Sequence, residues 1–230
     1  MMGNLLQINF RKPIPLFPLP NCVLLPGATI PLHIFEARYR AMTSNVLASD
    51  NLIAMGLFEG DQWKTNYEGN PPVRPFTCVS YIVHHDCLSD GRYHLWLQGV
   101  CRARIVEEIE HEPYRMVHLE PSDTSKVLEI DLCEERQRIE SRLSDDLLSR
   151  LTTVRAVKNM LNQEIPTVTL IDLTTMSVCE NCDDRYWILS EPQVSRRFKF
   201  LDHHLAQIRR TLEMSDRLRP PDSPEGVTVN

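Results

Sequence analysis

The sequence predicts an α+β protein with a strand-rich first half and a helical second half, and three observations carry that expectation. Between residues 14 and 120 the apolar residues come in short runs cut by proline and glycine turns, as strands require. From residue 132 onward Leu, Ile and Val recur at helical spacing through a stretch without Pro or Gly as far as Pro166. Between the two, Pro121-Ser122-Asp123 marks the change of composition. The expected organisation is a strand domain with one helix over 1–122, a helical domain over 123–218, and a polar tail over 219–230 (RPPDSPEGVTVN).

The elements follow in order. Prolines at 13, 15, 18, 20, 26 and 31 break residues 14–32 into extended pieces, because proline fixes φ and cannot donate to a strand ladder. Phe35, Tyr39, Met42 and Val46 then fall on one helical face, with Phe35 and Tyr39 expected in the core, until Asp50-Asn51 stops the helix. Leu52 to Phe58 reads as a buried strand. Residues 59–75 (EGDQWKTNYEGNPPVRP) carry no apolar period and read as a long surface loop, a length at which loops are often functional. Phe76–His84 and Tyr93–Gly99 form a predicted hairpin around Ser89-Asp90-Gly91, and Arg102–Glu108 and Tyr114–Glu120 complete the strands. In the second half the spacing predicts a long amphipathic helix or a helical pair over about 132–161. A shorter helix is expected over 170–178 and a turn at 180–184. A final helix carries Val194, Phe198, Leu201, Leu205, Ile208 and Leu212 on one stripe, behind an expected capping box of Ser190 and Gln193.

Composition narrows the function. With 230 residues and 42% hydrophobic content the chain can bury a core unaided. No apolar run approaches the roughly 20 residues of a bilayer span, and the start lacks the apolar segment of a signal peptide, so no membrane is expected and the location reads as cytoplasmic. Seven scattered cysteines suit reduced thiols better than a disulfide scaffold. A net charge of -6 disfavours nucleic acid, since affinity for a polyanion needs clustered cations. The balance is uneven, however: residues 190–220 carry seven basic against four acidic residues. Arg196, Arg197, Lys199, Arg209 and Arg210 therefore keep an RNA-binding alternative open.

The segments Pro15–Pro20 (PLFPLP), Leu25-Pro26-Gly27, Pro31–Tyr39 (PLHIFEARY), Asp90-Gly91-Arg92-Tyr93, Gly99 and Glu112-Pro113-Tyr114 occur in order and at sensible spacing. Together they resemble the signature of the amino-terminal, substrate-recognition domain of Lon-type proteases. The resemblance implies a small, partly open β-barrel of the PUA-like type also found in RNA-modification domains, followed by a C-terminal helical bundle. It also implies a non-enzymatic module that binds unfolded or damaged polypeptides, as an adaptor or holdase, with self-association through its helices. No GxxxxGK[ST] phosphate loop occurs, and none of the five lysines resembles a Lon peptidase motif, so a stand-alone relative without motor or peptidase, and without a cofactor, is expected. One departure is Phe76-Thr77-Cys78, where the family commonly places Gly-Thr at the head of the strand.

Candidate chemistry is sparse. Cys179-x-x-Cys182 has the spacing of half a zinc site, but no second such pair exists, so no metal is expected. His84-His85-Asp86-Cys87 could supply a thiol and a base, yet neighbours on a strand point to opposite faces and an exposed polar turn is the simpler reading. Glu36 and Arg38 are two apart, a spacing at which helical residues do not face each other, and read as structural, as do Pro26, Gly27, Phe35, Tyr39, Gly91 and Gly99. Trp63 and Tyr67, with Phe76 nearby, are the candidate peptide-binding aromatics. The alternative is that they fold back as a lid on the core.

Overall fold

A computed structural model describes residues 8–122, 127–161 and 163–218; the tail expected over 219–230 lies outside them. The first half folds into β1 (Ile14–Leu19), β2 (Thr29–Ile34), α1 (Ala37–Leu47), β3 (Leu52–Leu57), β4 (Phe76–Cys87), β5 (Tyr93–Ile109) and β6 (Arg115–Pro121). These strands form one mixed sheet in the order β2-β5-β4-β3-β1-β6, antiparallel except for the β1–β3 pair. The long β5 takes β2 along its first half and β6 along its second, and β6 also pairs with β1, so the sheet curls round into a partly open barrel.

Alternation explains the barrel's two sides. Ile14 and Leu16 of β1, Leu52 and Ala54 of β3, Val79, Ala103, and Val117 and Leu119 of β6 form one buried cluster. The opposite side of β1 carries Phe17, whose ring meets Tyr39 of α1 edge-on at 4.5 Å. Tyr39, Met42 and Val46 are the buried stripe of α1, as their spacing predicts. Each such side chain contributes about 1.5–3 kcal/mol by leaving water. Phe35 departs from expectation. It is 61% exposed, because it precedes the extended cap residue Glu36 and so never joins the helical stripe.

The strands expected at Tyr93–Gly99 and Arg102–Glu108 are one element, because Gly99 keeps β5 continuous where a side chain would not fit. A Cβ there would lie 2.3 Å from the Leu25 carbonyl oxygen. That approach is made by the turn at Gly27 (φ +83°), whose N–H donates to the Gly99 carbonyl at 2.8 Å, while the Gly99 N–H donates to that of Ala28. At the hairpin, Gly91 adopts φ +79° and its carbonyl accepts from Arg40 Nε at 2.7 Å.

The described residues resolve into two compact units that are not contiguous in sequence: residues 8–122 with 179–194, and the helical segments of 128–178 with 195–218. The sequence divides at about residue 122, but α5 (Cys182–Ser190) belongs with the strands. Its Tyr186 hydroxyl accepts the N–H of Phe76 at 3.0 Å, which ties it to the head of β4. The Asn181 side chain caps α5 by accepting from the N–H groups of Asp183 and Asp184.

The other unit contains α2 (Cys133–Leu143), α3 (Thr152–Met160), α4 (Thr167–Val178) and α6 (Val194–Leu218). Of the two expected forms, one long helix or a helical pair, the pair is found, interrupted where the Asp145 carboxylate accepts the N–H groups of Leu147 and Leu148. Ile139, Leu143, Leu148, Val154, Val157, Leu170, Ile171, Leu201 and Leu205 are among its buried side chains. The Glu129 carboxylate reaches both the N–H and the hydroxyl of Thr167, satisfying an orphan donor at the start of α4. The expected capping box does not form. Ser190 closes α5 by donating to the Trp187 carbonyl, and the Gln193 N–H goes to the Glu191 carboxylate.

Candidate functional site

The loop predicted over 59–75 leaves β3 and returns to β4 with one short 3-10 turn at Gln62–Lys64. Its base is closed by backbone bonds, Glu59 N–H to the Pro72 carbonyl and Arg74 N–H to that of Leu57, both at 2.8 Å. Arg115, buried at the start of β6, donates to the Pro71 carbonyl at 2.8 Å and grips Glu108 with two further donors at 2.6 and 2.5 Å. A loop too polar to form its own core is therefore fastened to the barrel.

Trp63 and Tyr67 are both half-buried and converge on the buried ring of Phe58, the last apolar residue of the β3 run. Trp63 stacks on it at 6.2 Å with planes 13° apart, and Tyr67 meets it edge-on at 5.8 Å. One side of Tyr67 is held by the residues expected to be merely structural. Its hydroxyl donates to Glu36 Oε1 at 3.0 Å, its carbonyl accepts from Arg38 Nη2 at 3.3 Å, and the Arg38 guanidinium lies 4.8 Å from its ring centre. Arg38 Nε also donates to Glu36 at 3.1 Å. The two do face each other because Glu36 caps α1 in extended conformation (ψ 137°) and is not a helical residue. Burial, then the neighbouring Glu36 charge, pushes the Tyr67 hydroxyl above its ordinary pKa, so it stays a donor.

Beside Trp63 lies a cleft of about 510 Å³. Leu57, Phe58, Trp63 and Pro20 give it apolar walls, with Asn21, Arg74, Lys64, Cys182 and Asp183 around them. Arg74 bonds Asp183 at 2.6 Å and lies 4.7 Å from the Tyr186 ring; Lys64 pairs with Asp61 at 2.7 Å. The cleft thus sets a few apolar side chains within a larger polar fringe of paired charges. Phe76 is half-buried at the head of β4 and does not line it.

A second exposed surface escaped the sequence reading. On the outer face of β2, β5 and β4, His33 pairs with His94 at 5.0 Å between rings, His84 lies 4.9 Å from Trp96, and Phe35 stands 5.9 Å from His33. A groove of about 330 Å³ lies beside His33, His94 and Trp96. The signal was present as period-two alternation, Pro31 and His33 against Leu32, and His94 and Trp96 against Leu95 and Leu97.

The profile of the ATP-dependent protease La (LON) substrate-binding domain matches residues 13–207. The chain belongs to that family. Lon protease of Desulfosudis oleivorans is 23% identical over 210 residues, covering 90% of this chain and 25% of the relative. Lon protease 2 of Myxococcus xanthus is 22% identical, covering 94% and 26%. The chain thus spans about a quarter of the length of these curated relatives. Among solved structures, the N-terminal domain of the Mycobacterium avium complex Lon protease superposes with a TM-score of 0.62 at 16% identity, over 85% of this chain and 98% of that one. The Lon N-terminal domain protein of Xanthomonas campestris gives 0.57 at 22%, over 83% and 96%.

In this Lon substrate-binding domain the signature residues divide by task. Pro26, Gly27 and Gly99 build the close approach of the first turn to β5, Gly91 the hairpin, and Tyr39 the seat of α1, whereas Glu36 and Arg38 reach the loop. The remaining candidates lie elsewhere in the fold. Cys179 is buried at the junction of α4 and α5. Burial, then nearby Asp184 and Asp183 respectively, raises the pKa of the Cys179 and Cys182 thiols. Among the described residues no three His, Cys, Asp or Glu side chains converge on a metal position. His84 to Cys87 are exposed, but on β4 itself, which runs beyond His84. The basic stripe of α6 is interrupted: Arg197 is buried 3.8 Å from Asp172, and Arg209 binds Asp145 and Glu213. No described helix is long and apolar enough to cross a membrane.

Proposed function

We propose that this domain is a non-enzymatic recognition module, placed in the cytoplasm, that binds unfolded or damaged polypeptides through the cleft beside Trp63. The observation that carries the reading is the stack of half-buried Trp63 on Phe58, which places an aromatic ring beside an open cleft of about 510 Å³. An adaptor or holdase role, with self-association through the helical unit, extends the same reading. Nucleic acid is disfavoured by the acidic balance and by the carboxylates that occupy Arg197 and Arg209.

Cysteine footprinting tests the site. Cys182 lines the cleft, whereas Cys87 and Cys133 are exposed elsewhere, so a reduced and carboxymethylated test polypeptide should slow alkylation of Cys182 and leave the other two unchanged. Binding without protection of Cys182 would move the site, with Phe35→Ala and Trp96→Ala then testing the histidine-rich face. No binding at all would remove the reading.

A further inference from the structure

We propose that Glu36 and Arg38 are positioning residues for the recognition loop, a latch that holds Tyr67 and through it sets Trp63 against the cleft. The inference rests on the cleft reading above and adds to it what the EAR segment of the family signature does in this chain.

Three contacts from two side chains converge on one loop residue about thirty positions away in sequence. Glu36 accepts the Tyr67 hydroxyl at 3.0 Å, Arg38 donates to its carbonyl at 3.3 Å, and the guanidinium lies over its ring at 4.8 Å. The same guanidinium lies 4.6 Å from the Tyr39 ring, so it is sandwiched between the barrel's own helix and the loop. From Tyr67 the effect is transmitted over one short turn. Asn66 N–H and Thr65 N–H both donate to the Gln62 carbonyl, and Lys64 N–H to that of Asp61, which links Tyr67 to Trp63 as one small folded piece. Trp63 and Tyr67 then share Phe58 as their common support.

The other anchors of the loop act near its base, at Glu59, Pro71, Val73 and Arg74. Ordering backbone costs about 1–2 kcal/mol per residue, and nothing at the base pays that cost for residues 61–68. Tyr67 is where the far half of the loop meets the barrel. Without the latch the stack on Phe58 must order this half on its own, and Trp63 spends part of its time away from the cleft wall.

The test uses the full chain with Tyr67→Phe, which removes only the hydroxyl, and Glu36→Gln, which weakens the bond and the pairing with Arg38. Hydrogen exchange of residues 61–68 should speed up roughly fivefold to tenfold in each, the factor one typical net hydrogen bond supplies at this partly exposed site, with other segments unchanged. Affinity for the carboxymethylated polypeptide should fall by a similar factor, and Tm should fall by no more than about 2–5 °C. Exchange unchanged in both variants overturns the latch. So does faster exchange with undiminished affinity, because the loop would then be held for a purpose other than recognition. Should Glu36→Gln fail to fold, Tyr67→Phe decides alone. Should the native protein bind no polypeptide, the cleft reading fails while the exchange measurement still decides whether the latch exists.

Discussion

Replacing Trp63 by alanine separates packing from recognition with a single residue. A fully buried aromatic truncated to alanine costs about 3–5 kcal/mol, of which an aromatic pair accounts for about 1. Trp63 is half-buried and has one ring neighbour, Phe58, at 6.2 Å, so about 2 kcal/mol is expected. In a domain of this size each kcal/mol moves Tm by about 2–4 °C, which gives a drop of about 4–8 °C. The cleft also loses one wall, and a central aromatic anchor is worth about 1–3 kcal/mol of binding, or roughly 5- to 150-fold in Kd. Trp63→Phe keeps a ring on Phe58 and should recover most of the stability but only part of the affinity. Thermal melts and a fluorescence-anisotropy titration with the carboxymethylated polypeptide measure both on the same samples. A fall in Tm with unchanged affinity of the folded protein would make Trp63 a lid and refute the site. An unmoved Tm would refute the packing on which the magnitude is built.

Other outcomes follow from other parts of the molecule. Gly99→Ala should cost about 3 kcal/mol or more, because the new Cβ meets backbone at 2.3 Å, whereas at Gly91 the nearest atom is the flexible end of Arg40 and only the positive φ resists, at about 1 kcal/mol; urea titrations should rank them so. The Cys22 thiol, pushed up to about 11 by burial and secondarily by Cys182, should alkylate far more slowly at pH 8 than the exposed Cys133. Partial burial opposes the charge of Asp145, yet the bonds from Arg209 and from the N–H groups of Leu148 and Leu147 hold its carboxyl below the ordinary range. Its stabilisation is therefore fully present above the ordinary carboxyl pKa of about 4 and lost as pH falls through the depressed folded-state pKa, so Asp145→Asn should destabilise at pH 7 and the difference should shrink as pH is lowered below about 4. ATP turnover and peptide hydrolysis should stay at background through the protein peak on repurification; activity that tracks the peak would overturn the non-enzymatic reading.

The parts of the fold that sequence made legible are those fixed by local rules. The spacing of Tyr39, Met42 and Val46 needs only a helix with one buried side, and Asp90-Gly91 needs only a turn that demands positive φ. Phe35 has the right spacing but lies one residue before the cap, and spacing alone cannot locate a cap whose side chain makes no capping bond. Ser190 and Gln193 failed for the mirror reason: the Ser-x-x-Gln pattern was present, but a helix already ended there. The return of α5 to the strand unit left no sequence signal at all. Its anchors, Tyr186 on Phe76 and Asp183 on Arg74, join residues about 110 apart through one hydroxyl and one ion pair, and neither contact has a period to detect.

The candidate site shows the same division within a single loop. Composition marked 59–75 as a segment that could not bury itself, and aromatic content singled out Trp63 and Tyr67. The choice between exposed anchor and lid turns on Phe58, which the sequence accounts for as the end of a buried strand, with no hint that two loop aromatics rest on it. It depends equally on Glu36, whose partner at two residues' distance was dismissed on helical geometry that does not apply to a cap. An extended cap residue turns its side chain away from the helix surface, and here that direction leads to Tyr67. The signature segment that identifies the family is thus joined to the loop by side chains whose roles cannot be assigned one element at a time. Arg38 lies between Tyr39 and Tyr67, on the barrel's helix and the loop respectively, so removing its guanidinium should disturb both, while removing the Tyr67 hydroxyl disturbs only the loop. If Arg38→Ala lowered Tm no further than Tyr67→Phe does, the guanidinium would be serving the loop alone and its contact with α1 would carry no weight.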